Sequence, residues 1–212
     1  MVVRVKVCGI TREKDAGVAL ELGAKKLGFI LYEKSPRKIG FNDIRKIKTK
    51  FSLNVDQMVA VQVEPTIDSL KGMIDFGFGF YQLHFSHNYP REQIEKWAEL
   101  AGVDNLWLAP RLPLGTNFPE DLLPFAQTFL IDAYSKDQFG GTGEPSDWYG
   151  FLKWKNKYSS KSWVLAGGLS SENIQEALSK TQANLIDVNS GVEISPGIKD
   201  RVKINEFFAK IS

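Results

Sequence analysis

The chain has 212 residues, 43% of them hydrophobic and 25% charged, with a formal net charge of +2. That length can bury a sizeable core and suits one large α/β domain or two small ones. Lysines and arginines are interspersed with acids, which argues against a nucleic-acid surface, and no apolar run approaches the roughly 18 residues needed to cross a bilayer. The opening "MVVRVKVCGI" lacks the apolar length and small-residue cleavage site of a signal peptide. A lone cysteine, Cys8, cannot form an internal disulfide, so the cytoplasm is the expected compartment.

Short β-rich runs alternate with helical spacing from end to end. "VRVKVC" (Val3 to Cys8) predicts a first strand, followed by a helix through "EKDAGVALELG" that stops at Gly23. "KKLGFIL" predicts the second strand and "FNDIRKIKTKF" its helix, with Asn42 as N-cap. Next come strand "QMVAVQV" and a helix capped by Thr66, then strand "FYQLHF" and a helix with Pro90 in its first turn and Gly102 at its end. "NLWLAP" is the fifth strand. The connection after it is poorly helical because Pro113, Pro119 and Pro124 interrupt it. Strand "TFLIDAY", a glycine-rich loop and helix "SDWYGFLKWKNKY" follow. "SWVLAG", "SENIQEALSKT", "NLIDVNS" and "RVKINEFFAKI" complete the series. About eight βα units of about 25 residues each match a (β/α)8 barrel, read as one domain over 1–212. A doubly wound sheet shares the alternation, so the loops must decide.

Barrels of this kind carry their chemistry at the C-terminal ends of the strands. The positions that fall there are polar and glycine-rich, whereas the strand starts are not. "AGGLSSEN" and "DVNSGVE", after strands seven and eight, place Gly167, Gly168 and Gly191 where tight turns can expose backbone N–H groups to an anion. Two such loops on adjacent strands favour a phosphate site over mere turns. Asp132 ends strand six before "FGGTGE", where it can equally cap a turn or serve as an acid whose pKa burial raises. Arg37, in the "SPRK" loop, is placed to clamp a carboxylate bidentately. His84 and His87 have no metal-ligand spacing with the cysteine, and His84 reads as a satisfied strand-end histidine. Cys8 reads by itself as a small buried hydrophobe. Its place at a strand end before Gly9 is what marks it as a candidate for a reactive role.

In order along the chain, "KVCGIT", "LGFILYEKSPRKI", "QLH", "IDAY…FGGTGEPSDW", "LAGGLSSENI" and "DVNSGVEISPGIKD" together resemble the phosphoribosylanthranilate isomerase family, over essentially the whole sequence. The resemblance implies a (β/α)8 TIM barrel that performs an Amadori rearrangement of N-(5-phosphoribosyl)anthranilate without metal or cofactor. It implies Cys8 as the base at sugar C2 and Asp132 as the acid at the ring oxygen. Arg37 would hold the anthranilate carboxylate, and Gly168, Ser190 and Gly191 the phosphate, with Gln82, Gly141, Thr142 and Gly143 lining the pocket. The expected partner is a small phosphorylated substrate, with no nucleic acid or membrane, and the chain is expected to be a monomer or homodimer.

The sequence departs from the family pattern near the rim. Phe85 replaces a glycine after "QLH" and is expected to add bulk there. Gln62 and Glu64 follow strand three. Ala109, Pro110 and Arg111 stand where a lysine is usual, and Asn189 replaces a serine. These changes bear on rate and substrate fit. The competing readings are a histidine-pathway aminoaldose isomerase, against which Cys8 argues because that family uses aspartate as its base, and a catalytically weak descendant that only binds a phosphosugar.

Overall fold

Eight strands form in the computed structural model, which describes residues 2–133 and 147–211. They are β1 Arg4–Val7, β2 Lys26–Ile30, β3 Met58–Val63, β4 Phe80–Ser86, β5 Leu106–Arg111, β6 Thr128–Ile131, β7 Ser162–Leu165 and β8 Leu185–Val188. Each pairs in parallel with its successor, and β8 returns to β1 through the register Arg4↔Leu185 to Val7↔Val188. That last pairing closes the sheet into a barrel and excludes the open alternative.

The strands are apolar on both faces because both faces are covered. Val5, Val7, Leu27, Phe29, Leu83, Phe85, Phe129 and Val188 point outward into the layer between sheet and helices. Their neighbours in sequence, including Cys8, Val59, Val61, Trp107, Leu130, Val164 and Leu185, point into the barrel. The period of two therefore assigns each strand residue to one of two cores.

The helices are α1 Glu13–Glu21, α2 Phe41–Lys50, α3 Ile67–Phe76, α4 Arg91–Ala101, α5 Trp148–Lys157, α6 Ile174–Thr181 and α7 Arg201–Ala209. Thr66 caps α3 as expected, its hydroxyl accepting from Ser69 N at 3.2 Å. Two boundaries differ from the sequence reading. Gly40, extended and without a side chain, occupies the N-cap of α2, so Asn42 lies inside the helix. Pro90 is itself the N-cap of α4 rather than a first-turn residue. Between β5 and β6 the prolines leave only a 3-10 helix, Glu120–Phe125, with Pro124 inside it.

One further element was not expected. After β8 the chain forms a small antiparallel ribbon, β9 Glu193–Ser195 and β10 Ile198–Lys199, turning at Gly197 with φ of +81°. It folds back against the start of α1, where Lys199 N donates to Asp15 Oδ2 at 3.1 Å, and Thr11, just before that helix, donates to the carbonyl of Gly197. Among the described residues no helix is long and apolar enough to cross a membrane.

Candidate active site

A pocket of about 740 Å³, counting its open mouth, lies at the C-terminal ends of the strands. Cys8, Arg37, Gln82, Asp132, Gly168 and Ser190 all line it. Six different strands, or the loops that follow them, thus converge on one cavity. Gly9 makes the turn after Cys8 with φ of +70°, and a side chain there would meet Asn189 Oδ1 at 2.6 Å. Glycine is what lets the strand end at the thiol without closing the gap to the β8 loop.

The barrel interior beneath this pocket is charged. Lys6, two residues before Cys8 and so on the same face, is fully buried, and its Nζ lies 2.8 Å from Asp187 Oδ1. Burial acts to lower the Lys6 pKa, but Asp187 and Cys8 outweigh it and hold the ammonium protonated. Burial pushes Asp187 up against the pull of Lys6. Burial also pushes the Cys8 thiol up, and Lys6 partly offsets this. Asp132 is pushed up to about 6, by burial first, against the hydrogen bond its Oδ1 accepts from Ala133 N at 2.8 Å. On β4, the Gln82 amide and His84 Nε2 are 2.8 Å apart, and burial lowers His84 to about 4, so the imidazole is neutral. Gln82 Oε1 is buried without a hydrogen-bond partner, in a side chain that lines the pocket. An orphaned acceptor in such a place awaits a donor from a ligand.

Arg37 reaches the pocket already held. Its Nε lies 3.1 and 3.0 Å from the two carboxylate oxygens of Glu193, and its Nη2 lies 2.8 Å from Oε2. Glu193 also accepts from Lys199 Nζ at 2.9 Å and Gly197 N at 3.2 Å, and Lys199 Nζ donates to Asn189 Oδ1 at 2.8 Å. The ribbon β9–β10 brings in both Glu193 and Lys199. One edge of the guanidinium is thereby fixed, on a side chain that lines the cavity.

The glycine loops behave differently from one another. Gly167 and Gly168 line the pocket with φ of +87° and +60°, opposite Ser190. Gly191 does not line it. A side chain on Gly191 would come 2.0 Å from the Leu169 carbonyl, so its role is to let the β7 and β8 loops approach. Gly141, Thr142 and Gly143 lie outside the described residues. Among the described residues no cluster of His, Cys, Asp and Glu could hold a metal ion.

Residues 5–210 match the family model for N-(5'-phosphoribosyl)anthranilate isomerase. The chain belongs to that family. A relative from Geobacter sp. (strain M21), named N-(5'-phosphoribosyl)anthranilate isomerase, is 35% identical over 213 residues, covering 98% of this chain and 97% of the relative. The crystal structure of the isomerase from Thermotoga maritima is similar, with a TM-score of 0.79 at 31% identity, covering 99% of this chain and 98% of that one. Another solved isomerase, in complex with reduced 1-(o-carboxyphenylamino)-1-deoxyribulose 5-phosphate, has a TM-score of 0.76 at 29% identity, covering 99% of this chain and 98% of that one. The chain is accordingly an enzyme, the isomerase of the tryptophan pathway.

Several departures from the isomerase pattern lie away from the pocket. Phe85 is fully buried on the outward face, with ring centroids 6.0 Å from Trp97 and 6.2 Å from Tyr89. The expectation that it crowds the rim is wrong, because it follows the inward His84 and must point outward. Glu64, with φ of +43°, accepts from both the N–H and the hydroxyl of Ser86 at 2.9 Å, tying the ends of β3 and β4 together. Arg111 ends β5 outside the pocket lining, whereas Gln62 and Asn189 are in it. The sequence reading missed Lys6, Asp187, Glu193 and Lys199. For the first two the signal was present, since a lysine and an aspartate each interrupt an apolar strand at an inward position.

Proposed function

We propose that this isomerase uses Asp132 as the general acid and Cys8 as the general base of its rearrangement, with Arg37 binding the anthranilate carboxylate and the loops after β7 and β8 binding the phosphate. Asp132 gives its proton to the ring oxygen as the C1–O bond breaks and the anthranilate nitrogen forms a Schiff base. Cys8, as thiolate, then takes the proton from C2 to give the enolamine, which tautomerises to the ketose. The observation that carries this reading is the convergence of Cys8 and Asp132 on one pocket, with the acid pushed up to about 6. A carboxyl with that pKa keeps a usable protonated fraction near neutrality.

Holding the two ends of the substrate fixes the sugar between acid and base. The ligand named in the solved complex carries a carboxyphenyl group at one end and a phosphate at the other, which suits Arg37 on one side and Gly168 with Ser190 on the other. A small phosphorylated substrate and a cytoplasmic setting complete the reading. Cys8→Ala and Asp132→Asn should each lower turnover, followed by loss of substrate fluorescence, by about three orders of magnitude, while affinity for a product analogue stays within a few-fold. Turnover within tenfold of wild type in either variant would reject that residue's role.

A further inference from the structure

We propose that Lys6 is a positioning residue for this reaction: its ammonium, anchored by Asp187 and given room by Gly28, sets the thiolate population of Cys8. The inference rests on the reading of Cys8 as the base.

Geometry makes the two side chains neighbours. Lys6 and Cys8 project from the same face of the first strand and its end, and both heads crowd the bare backbone of Gly28 on β2. A β-carbon at position 28 would lie 2.8 Å from Cys8 Sγ, 2.8 Å from Lys6 Nζ and 2.9 Å from Lys6 Cε. Asp187, on the strand at the other side of β1, fixes the same Nζ at 2.8 Å. Lys6 itself does not line the pocket, so it acts on a ligand through neighbours that do, Cys8 among them.

A purely structural role explains this arrangement poorly. The inward-facing apolar cluster that holds Cys8 also contains Val59, Trp107, Leu130, Val164 and Leu185, and an apolar pair of similar volume would extend it without taking two charges out of water. A permanent cation beside the thiol does have a use. The rearrangement needs Asp132 protonated and Cys8 deprotonated at once. Yet burial holds the thiol above its ordinary 9.0 and the carboxyl at about 6, so the resting protein has the opposite arrangement. With that ordering the competent form is a minority of molecules, and each further unit on the thiol lowers it about tenfold. Lys6 is the largest influence opposing burial at Cys8, ahead of Lys199.

Cys8 is the sole cysteine, so the rate of alkylation by a thiol reagent against pH, read by mass spectrometry, reports its thiolate alone, free of the six tyrosines that ionise in the same range. In folded Lys6→Met protein the midpoint should rise by about one unit or more, and kcat at neutral pH should fall about tenfold per unit, with KM within about threefold. Lys6→Met also strands Asp187, and the double variant K6M/D187L removes that charge too. Its midpoint should still rise, by less, because Lys6 acts on the thiol more strongly than Asp187 does. A midpoint unchanged from wild type in whichever of the two proteins folds overturns the proposal. So does loss of kcat without a shift. Retained turnover in Cys8→Ala, by contrast, would fault the base assignment and leave the titration result standing.

Discussion

Replacing Asp132 by Asn should make the fold more stable at mildly alkaline pH while removing the proposed acid. The carboxyl has a pKa of about 6 in the folded chain against an ordinary 3.8, raised chiefly by burial. Above pH 6 the folded state therefore holds an ion that the unfolded state solvates better, and stability is reduced. The difference of about two units corresponds to about 3 kcal/mol, an upper bound because Asp132 opens onto the pocket and water screens it. Asn keeps the acceptor for Ala133 N and carries no charge. The sign follows from proton counting. Between 3.8 and about 6 the folded protein binds more protons than the unfolded one, so the cost of Asp132 grows across that window and is absent below it.

His84 runs the other way. Its folded pKa of about 4 lies below the ordinary 6.5, so the unfolded chain takes up the proton first and stability falls by about 3 kcal/mol as pH drops through that window. In wild type the two contributions nearly cancel. Urea unfolding of wild type and Asp132→Asn at about pH 8 and about pH 4 separates them: the variant should gain about 1 to 3 kcal/mol at the higher pH and nothing at the lower. A variant no more stable than wild type at about pH 8, or an equal gain at both values, would refute the assignment of the raised carboxyl to Asp132.

The remaining expectations concern His84 and the Arg37 clamp. His84→Asn should remove the acid-side loss, leaving a protein whose stability rises relative to wild type by about 3 kcal/mol between pH 6.5 and 4, as measured by the same unfolding series. Glu193→Gln takes the charge from between Arg37 and Lys199, whose Nη2 and Nζ lie 2.8 and 2.9 Å from its carboxylate. It should cost about 3 kcal/mol of stability, because the buried Lys199 and the half-buried Arg37 lose their counter-ion. It should also raise KM about tenfold with a smaller change in kcat, since a loosened Arg37 binds ground and transition states alike less well. Calorimetric titration with a product analogue and its decarboxylated counterpart gives the specific check. If Arg37 holds the carboxylate, Arg37→Ala erases the preference for the carboxylated ligand; a preference unchanged from wild type removes the clamp from the account.

What the sequence disclosed and what it withheld divide along a physical line. The period-two alternation within strands and the glycines at their ends are local, and they predict the eight-strand order and the face that carries the pocket. Phe85 shows the same rule applied too late: its outward direction followed from counting two residues at a time from Gln82 and His84. The buried charges are different. Lys6 and Asp187 stand 181 positions apart in sequence, and only closure of β8 onto β1 makes them partners. Arg37 and Glu193 are 156 positions apart and meet because an unanticipated ribbon carries Glu193 to the loop after β2. A charged residue at an inward strand position is still a readable anomaly, because isolated burial of an ammonium or carboxylate costs several kcal/mol and is not kept without a counter-charge. "VRVKVC" contains two basic residues on one face, Arg4 and Lys6, and "LIDV" one acid, Asp187, on strands that a closed eight-stranded sheet must place side by side. The demand that each buried charge have a partner offers Asp187 either basic residue of β1, and the register of β8 on β1 selects Lys6, two residues before the sole cysteine.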